Sequence, residues 1–152
     1  MIKEIKAREI LDSRGNPTVE CDILLNDNSL GRAIVPSGAS TGKHEALELR
    51  DKDKNRYNGK GVRKAISNIM EIIYPKIINQ NFKNIEDFDN FLISLDNTSN
   101  KSKLGANSTL ALSLAFARAL SSQKKEQLYS FLKSDVDYTL PVPMMNIING
   151  GS

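Results

Sequence analysis

The sequence predicts an α+β fold, a three-stranded antiparallel meander followed by helices, and three observations carry that reading. Apolar and polar residues alternate between Val19 and Leu25, the apolar spacing turns helical beyond Gly61, and the strand-like segments all precede the helical ones. Sheet first and helices afterwards is the order of a layered α+β domain.

Ile2 to Ile10 reads as the first strand, and Ser13-Arg14-Gly15-Asn16-Pro17 after it is dense in residues that tolerate turns. In the second strand Val19, Cys21, Ile23 and Leu25 interleave with Thr18, Glu20, Asp22 and Leu24, the pattern of a half-buried antiparallel strand with one mostly polar face. Asn26-Asp27-Asn28-Ser29 supplies turn chemistry before Leu30 to Val35 resumes a β-rich run, so these two segments form a hairpin. From Gly61 onward Val62, Ile66, Ile69, Met70 and Ile73 share one helical face, and Pro75 is expected to end or kink that helix. Asn84, with Asp87 three residues later, announces a second helix in the manner of a capping box, with Phe88, Phe91, Leu92 and Leu95 following. The third, after Asn107, is apolar nearly all round from Leu110 to Ala117 and must be buried on several sides. A shorter helix around Gln127 to Lys133 is expected to carry Leu128, Phe131 and Leu132 inward.

The remainder behaves differently. Asp135 to Thr139 looks like a linker, and the apolar run Pro141 to Ile148 reads as a new strand running into Asn149-Gly150-Gly151-Ser152. A buried strand needs neighbours, and none follow. The expected organisation is one domain over 1–134, then a linker and the opening strand of a second domain over 135–152.

Composition narrows the function classes. The 152 residues are 39% hydrophobic and 26% charged, ordinary for one globular domain, and 21 Lys+Arg against 18 Asp+Glu leave a net charge of only +3. The basic residues are scattered among acids, and aromatic residues make up only 6% with no Trp, so neither the clustered charge nor the stacking platforms of a nucleic-acid binder are present. Cys21 is the single cysteine, which excludes an intrachain disulfide; a buried structural thiol in a reducing, cytoplasmic setting is the expectation. The N-terminus lacks the apolar core of a signal peptide, and no apolar run approaches the ~20 residues that span a bilayer.

The chemistry-bearing stretch is Val35-Pro36-Ser37-Gly38-Ala39-Ser40-Thr41-Gly42-Lys43-His44-Glu45. Two glycines frame small hydroxyl residues just after a strand, where backbone can approach a ligand closely and swing. Hydroxyl and carbonyl oxygens suit a hard cation such as magnesium, usually alongside substrate phosphate. The same composition also describes an exposed, flexible strand-to-helix loop. A nucleotide-binding P-loop needs four residues between its glycines and Ser or Thr after its lysine. Only Ala39-Ser40-Thr41 separate Gly38 from Gly42, and His44 follows Lys43, so that motif is absent.

Four segments together resemble the enolases: Ala7 to Glu20 (AREILDSRGNPTVE), the Ser37 to Glu48 loop, Lys103-Leu104-Gly105-Ala106-Asn107, and Pro141 to Gly151 (PVPMMNIINGG). The resemblance covers essentially the whole chain. It implies the N-terminal lid domain of a magnesium-dependent lyase that interconverts 2-phosphoglycerate and phosphoenolpyruvate in glycolysis and gluconeogenesis. The lid would sit over an eight-stranded (β/α)8-type barrel of which 135–152 holds the linker and first strand. Such a barrel needs ~250 residues, so the catalytic groups it carries lie outside this sequence and the fragment is expected to be inactive alone.

Carried over residue by residue, Ser40 resembles the serine that offers hydroxyl and carbonyl oxygens to the second Mg2+, and Gly38, Ala39 and Ser40 match positions that close over the substrate. Arg8 and Glu20 resemble residues at a dimer contact, so a homo-oligomer is implied, a dimer at least; taken as residues on an ordinary strand they would be solvent-facing charges worth ~0 to 1 kcal/mol. Arg14, in the turn, fits a structural anchor. His44 does not match the family's base. Ser108-Thr109 departs from the small apolar residues usual after Gly105-Ala106-Asn107, and both hydroxyls can bond back to the preceding turn. A histidine-bearing second lid loop, expected after Gly-Gly-Ser, lies beyond Ser152. The alternative reading is an enolase-derived interaction module whose uncovered apolar strand, Val142 to Ile148, is an association site.

Overall fold

Ile5, Ile23 and Gly31 lie side by side across a three-stranded antiparallel sheet in the computed structural model, which describes residues 1–38, 42, 44–133 and 136–145. Strands β1 (Ile2–Leu11), β2 (Pro17–Leu25) and β3 (Leu30–Ile34) follow one another in the order β1-β2-β3, the meander the sequence implies. Asp12 closes the first turn: its Oδ1 accepts from the backbone N–H of Arg14 at 2.9 Å and of Asn16 at 2.8 Å, while Gly15 takes a φ of +76°. In the second turn Asn28 occupies the left-handed region at φ 68°, which asparagine tolerates, and the Ser29 N–H donates to Asp27 at 3.1 Å.

Strand β2 departs from the half-buried reading. Val19, Cys21, Ile23 and Leu25 do face the helices, but Glu20 and Asp22 on the other face are also buried. Arginines from the flanking strands cover them. Arg8 on β1 donates to Glu20 at 2.6 Å and to Asp22, and Arg32 on β3 donates to Asp22 at 2.6 and 3.0 Å. Long side chains thus lie over the middle strand, their stems shielding what their head groups neutralise.

After a 3-10 turn at Tyr57–Gly59, helix α1 (Arg63–Ser67) runs through a π-helical stretch, Asn68–Ile73, into α2 (Tyr74–Ile77). Pro75 therefore does not end this helix. The wider π turn immediately before it resets the ladder, so proline sits in a first turn where its missing N–H would go unpaired anyway. Helix α3 (Ile85–Asp96) begins as expected, with the Asn84 side chain accepting from the Asp87 N–H at 2.8 Å.

Helix α4 (Ala106–Lys124) is the spine: Ala111, Leu112, Ala115, Phe116 and Ala119 are buried against β2, β3 and α3. Its closeness to the sheet depends on Gly31. A Cβ there would fall inside the Ala115 carbonyl oxygen and 2.9 Å from the Ala119 Cα. The final helix, α5 (Leu128–Leu132), is not the inward-facing element expected. Leu128 and Phe131 are only half-buried and Leu132 is exposed, because α4 has already been covered and α5 lies at the rim, where Lys124 sits 5.0 Å from the Phe131 ring. Beyond it, 136–145 takes no regular secondary structure; Tyr138 packs edge-on to Tyr129 at 4.9 Å, and Leu140 and Met144 stand almost fully exposed. Among the described residues no helix is long and apolar enough to cross a membrane.

Candidate functional site

Strand β3 delivers the chain to Val35, whose N–H still donates to Val19 O at 3.0 Å, and the glycine-framed loop starts there. Its first root is held from the side by the β1–β2 turn. Arg14 Nη2 donates to the Ser37 carbonyl at 2.9 Å, and Ser37 Oγ lies 3.5 Å from Asp12 Oδ2. Backbone N–H bonds, foremost that of Asn16, hold the Asp12 carboxyl below the usual aspartate range; partial burial opposes them, and the N–H and charge of Arg14 and the Ser37 hydroxyl add to them. An ionised acceptor is thereby kept beside Ser37.

The second root is fixed by α4. The backbone carbonyl of Leu47 accepts from the Ala106 N–H at 2.7 Å, and the Leu47 N–H donates to Asn100 O at 2.7 Å. Asn107 then clamps Leu49 on both sides, accepting from its N–H at 3.1 Å and donating to its carbonyl at 3.0 Å. This amide imitates a neighbouring strand for a segment that has none. Gly105 leaves room for the clamp: at φ +92° it passes so near that a Cβ would meet Leu49 Cβ at 2.6 Å and Asn107 Oδ1 at 2.7 Å. Further on, Arg50 donates to the carbonyls of Pro17 and Lys60, each at 2.6 Å, and to Glu48 at 2.7 Å.

Two clefts lie beside the ends of the glycine-framed stretch. One of about 450 Å³ is walled by Val35, Pro36, Gly38, Leu47, Asn107 and Leu110. The other, of about 320 Å³, lies between Arg14, Ser37, Gly38, Glu48, Arg50 and Lys60 and is predominantly basic. Gly38 is exposed at the junction of the two. Ala39 and Ser40, the other expected substrate positions and the expected metal donor, lie outside the described residues, as do Thr41 and Lys43. His44 is exposed in a small turn closed by the Glu45 N–H on Gly42 O at 3.2 Å, and among the described residues no side-chain partner holds its ring. Nor is any group of three or more His, Cys, Asp or Glu placed to hold a metal ion among the described residues. The oxygen-rich loop fits a hard cation as a contributor of one or two donors, the rest of the shell being supplied from elsewhere.

Arg8 and Glu20 are direct cross-strand neighbours, bonded to each other within this chain rather than standing as separate solvent-facing charges. Cys21 lies fully inside the core, its thiol pushed up to about 12 by burial and then by the Asp22 charge, which suits an inert structural residue. Ser108 and Thr109 bond back to the preceding turn as anticipated, at 2.8 Å to Leu104 O and 3.2 Å to Ala106 O; Ser108 also donates to Ala65 O at 3.0 Å, joining α4 to α1.

Sequence reasoning did not assign Asn107, Gly105 or Arg50. The available signal was their chemistry: a glycine and a fork of amide donor and acceptor at a helix start, opposite a stretch with no pairing partner. Against family models, residues 2–132 match the one described as Enolase, N-terminal domain.

Proposed function

The chain belongs to the enolase N-terminal domain family, and from that premise we propose that it is the lid of a magnesium-dependent lyase that reversibly dehydrates 2-phosphoglycerate to phosphoenolpyruvate. The supporting observation is mechanical. The stretch from Gly38 to Ala46 is rich in small and hydroxyl residues, and the positions on either side of it are pinned independently, Ser37 by Arg14 and Leu47–Leu49 by α4. Ends registered to the domain on both sides are what a gating role for this stretch requires.

In this reading 1–134 is the lid domain, and 135–152 supplies the linker and the segment that would become the first strand once the barrel carrying the proton-transfer groups is present to pair with it. Removing a proton beside a carboxylate builds negative charge that bound Mg2+ would stabilise. The lid's own part is to bring Ser40 oxygens to that cation, to place Gly38 and Ala39 over the substrate, and to exclude water. Arg8 and Glu20, on the sheet face away from the helices, lie at the contact between subunits of a cytoplasmic dimer. Their in-chain pairing presents a fixed fork of charge to a partner; Arg8 remains about a third exposed, at 37% of its side chain.

The test uses the full-length gene product. Ser40→Ala is expected to cut turnover by ~10-fold or more and to raise the magnesium concentration needed, since one oxygen of a cation's shell is lost. Unchanged turnover and magnesium dependence would remove Ser40 from the site. The 152-residue chain alone is expected to produce no phosphoenolpyruvate.

One observation favours a second reading, a self-sufficient interaction module: Leu140, Val142, Met144 and Met145 are 96%, 84%, 97% and 79% exposed. Sedimentation separates the two. A monomer with a protease-resistant C-terminal segment supports the module; aggregation or rapid trimming of that segment supports the lid.

A further inference from the structure

Among the described residues Asn28, Asn58, Asn79 and Asn97 sit at left-handed φ, and of these only Asn58 is followed by glycine. That pair matters chemically, because a glycine nitrogen has no side chain of its own to shield it from the asparagine amide one residue back. Asn58 is exposed, in the 3-10 turn ahead of α1. The turn is strained. Tyr57, Asn58 and Gly59 follow one another at φ of 48°, 52° and 87°, a region that asparagine and glycine tolerate and an aromatic residue rarely enters. Two features hold it shut. The Gly59 N–H donates to Arg56 O at 3.0 Å and the Lys52 N–H to Gly59 O at 2.9 Å. The Arg56 guanidinium, in turn, reaches Glu9 on β1 at 2.9 Å and lies 4.7 Å from the centre of the Tyr57 ring.

We propose that Asn58 is a site of spontaneous covalent modification, deamidation through a succinimide, and that the Arg56 brace sets its rate by keeping the turn closed. The Gly59 nitrogen gives its proton to solvent base and attacks Asn58 Cγ; the new N–C bond closes a cyclic imide and ammonia leaves. Water then adds to either imide carbonyl and one ring C–N bond breaks, yielding aspartate or isoaspartate. In sum, the side-chain amide and water become a carboxylate and ammonium, and no oxidant or reductant is needed. The closed turn withholds both reacting groups. A ψ of 37° at Asn58 turns the Gly59 nitrogen away from the side chain, and the bond to Arg56 O engages the proton that must leave. Reaction therefore proceeds from the fraction of chains in which the turn is open. The isoaspartate product routes the backbone through the former side chain, which lengthens it by a carbon. Lys52 N–H to Gly59 O and Asp51 N–H to Gly61 O, the latter at 2.8 Å, tie the two sides of the loop at fixed spacing. The longer chain cannot keep both bonds and the Arg56 brace, so modification loosens segment 51–61.

The experiment incubates the 152-residue chain in mildly alkaline buffer, folded and in urea. Peptide mapping by mass reads the amide-to-acid change at Asn58 apart from that at the other Asn-Gly pair, Asn149-Gly150, and an isoaspartate methyltransferase labels the isomerised product. Asn58 is expected to convert at least ~10-fold more slowly in the folded chain than in urea. Glu9→Gln, which weakens the hold on Arg56, is expected to speed conversion in the folded chain about fivefold by raising the open fraction. Ile23→Val, which loosens the core away from the turn, is expected to leave the rate within about twofold of the parent. Asn58→Gln is expected to abolish the mass change. The isoaspartate-bearing fraction, separated by its added negative charge, is expected to melt below the parent chain.

No conversion at Asn58 in urea overturns the site itself. Equal rates in the folded and urea-treated chains overturn the brace, because the closed turn would then react unaided. Equal acceleration by Ile23→Val and Glu9→Gln also overturns it, since only unfolding of the whole chain would then expose the pair. Folded parent and Glu9→Gln chains that both stay intact long after the urea-treated chain has converted would mean that the turn does not open, and would sink the proposal too. A modified fraction that melts with the parent removes the structural consequence. If Glu9→Gln does not fold, Arg56→Lys, which keeps a charge but loses the fork, decides by the same readouts.

Discussion

The contact between α4 and the sheet and the segment from Leu47 to Val62 are both held in place, but by opposite means. In the first, Gly31, Ala115 and Ala119 meet backbone to backbone, and buried Ile23, Cys21 and Leu112 fill the rest. The second forms one 3-10 turn and otherwise no regular structure, and is tied down by side chains. Asn107 clamps Leu49, Arg50 bridges Pro17 and Lys60, and Asp51 caps α1 by accepting from the N–H groups of Arg63 at 3.0 Å and Lys64 at 2.8 Å. Glu9 on β1 accepts from Arg56 and from the Val62 N–H at 2.9 Å. Shape holds one region and side-chain hydrogen bonds, most of them charge-assisted, hold the other, so the two should fail under different perturbations.

The largest effect belongs to the region held by shape. Gly31→Ala forces a methyl group into α4 backbone that cannot yield without parting helix from sheet, and it is expected to cost roughly 4 kcal/mol or more, enough to unfold many domains of this size. Chemical denaturation measures this directly; a loss below ~1 kcal/mol would mean that the layers have slack. Asn107→Ala comes next. It removes both bonds to Leu49, leaving a half-buried N–H and carbonyl without that partner, for an expected ~1 to 2 kcal/mol. Hydrogen exchange should show the loss of protection concentrated at the Leu49 amide, with the Ile23 amide unaffected below the global unfolding limit. Equal loss at both would erase the distinction between the regions.

What the sequence disclosed follows the same division. The strands, the Asn84 cap and the buried character of Leu110 to Ala117 were legible because alternation, capping and all-round hydrophobicity are local patterns. Pro75 marks a break in the helical ladder and not its end, because a π turn upstream, invisible to a rule about proline alone, makes room for it. Glu20 and Asp22 misled because residues on two other strands bury them. At the candidate site, Gly38 and the loop's composition were readable, whereas the roots were not: Arg14 to Ser37 and Asn107 to Leu49 join residues far apart in sequence, and no periodicity encodes which amide will face which backbone.

The smallest effect, and the one that isolates the charge-held region, is the acid response of Glu9. The Arg56 hydrogen bonds hold this carboxyl below its ordinary value of 4.5, against partial burial that raises it, with help from the Val62 N–H and the charges of Arg56 and Arg63. A carboxyl whose folded value is depressed binds its proton more readily in the unfolded chain. Its contribution to stability is therefore complete above the ordinary carboxylate range and is lost as pH falls through the lower folded value. Glu9→Gln is expected to cost about 1 kcal/mol at pH 7, since the pair is mostly shielded and the amide retains one acceptor. The gap between parent and variant should hold steady from pH 7 to about 5 and close as pH drops below about 4. Thermal midpoints of the two chains across that range supply the measurement; a gap that stays constant down to pH 3 would mean the carboxylate's charge contributes nothing, and that segment 47–62, like α4 on the sheet, is held by shape.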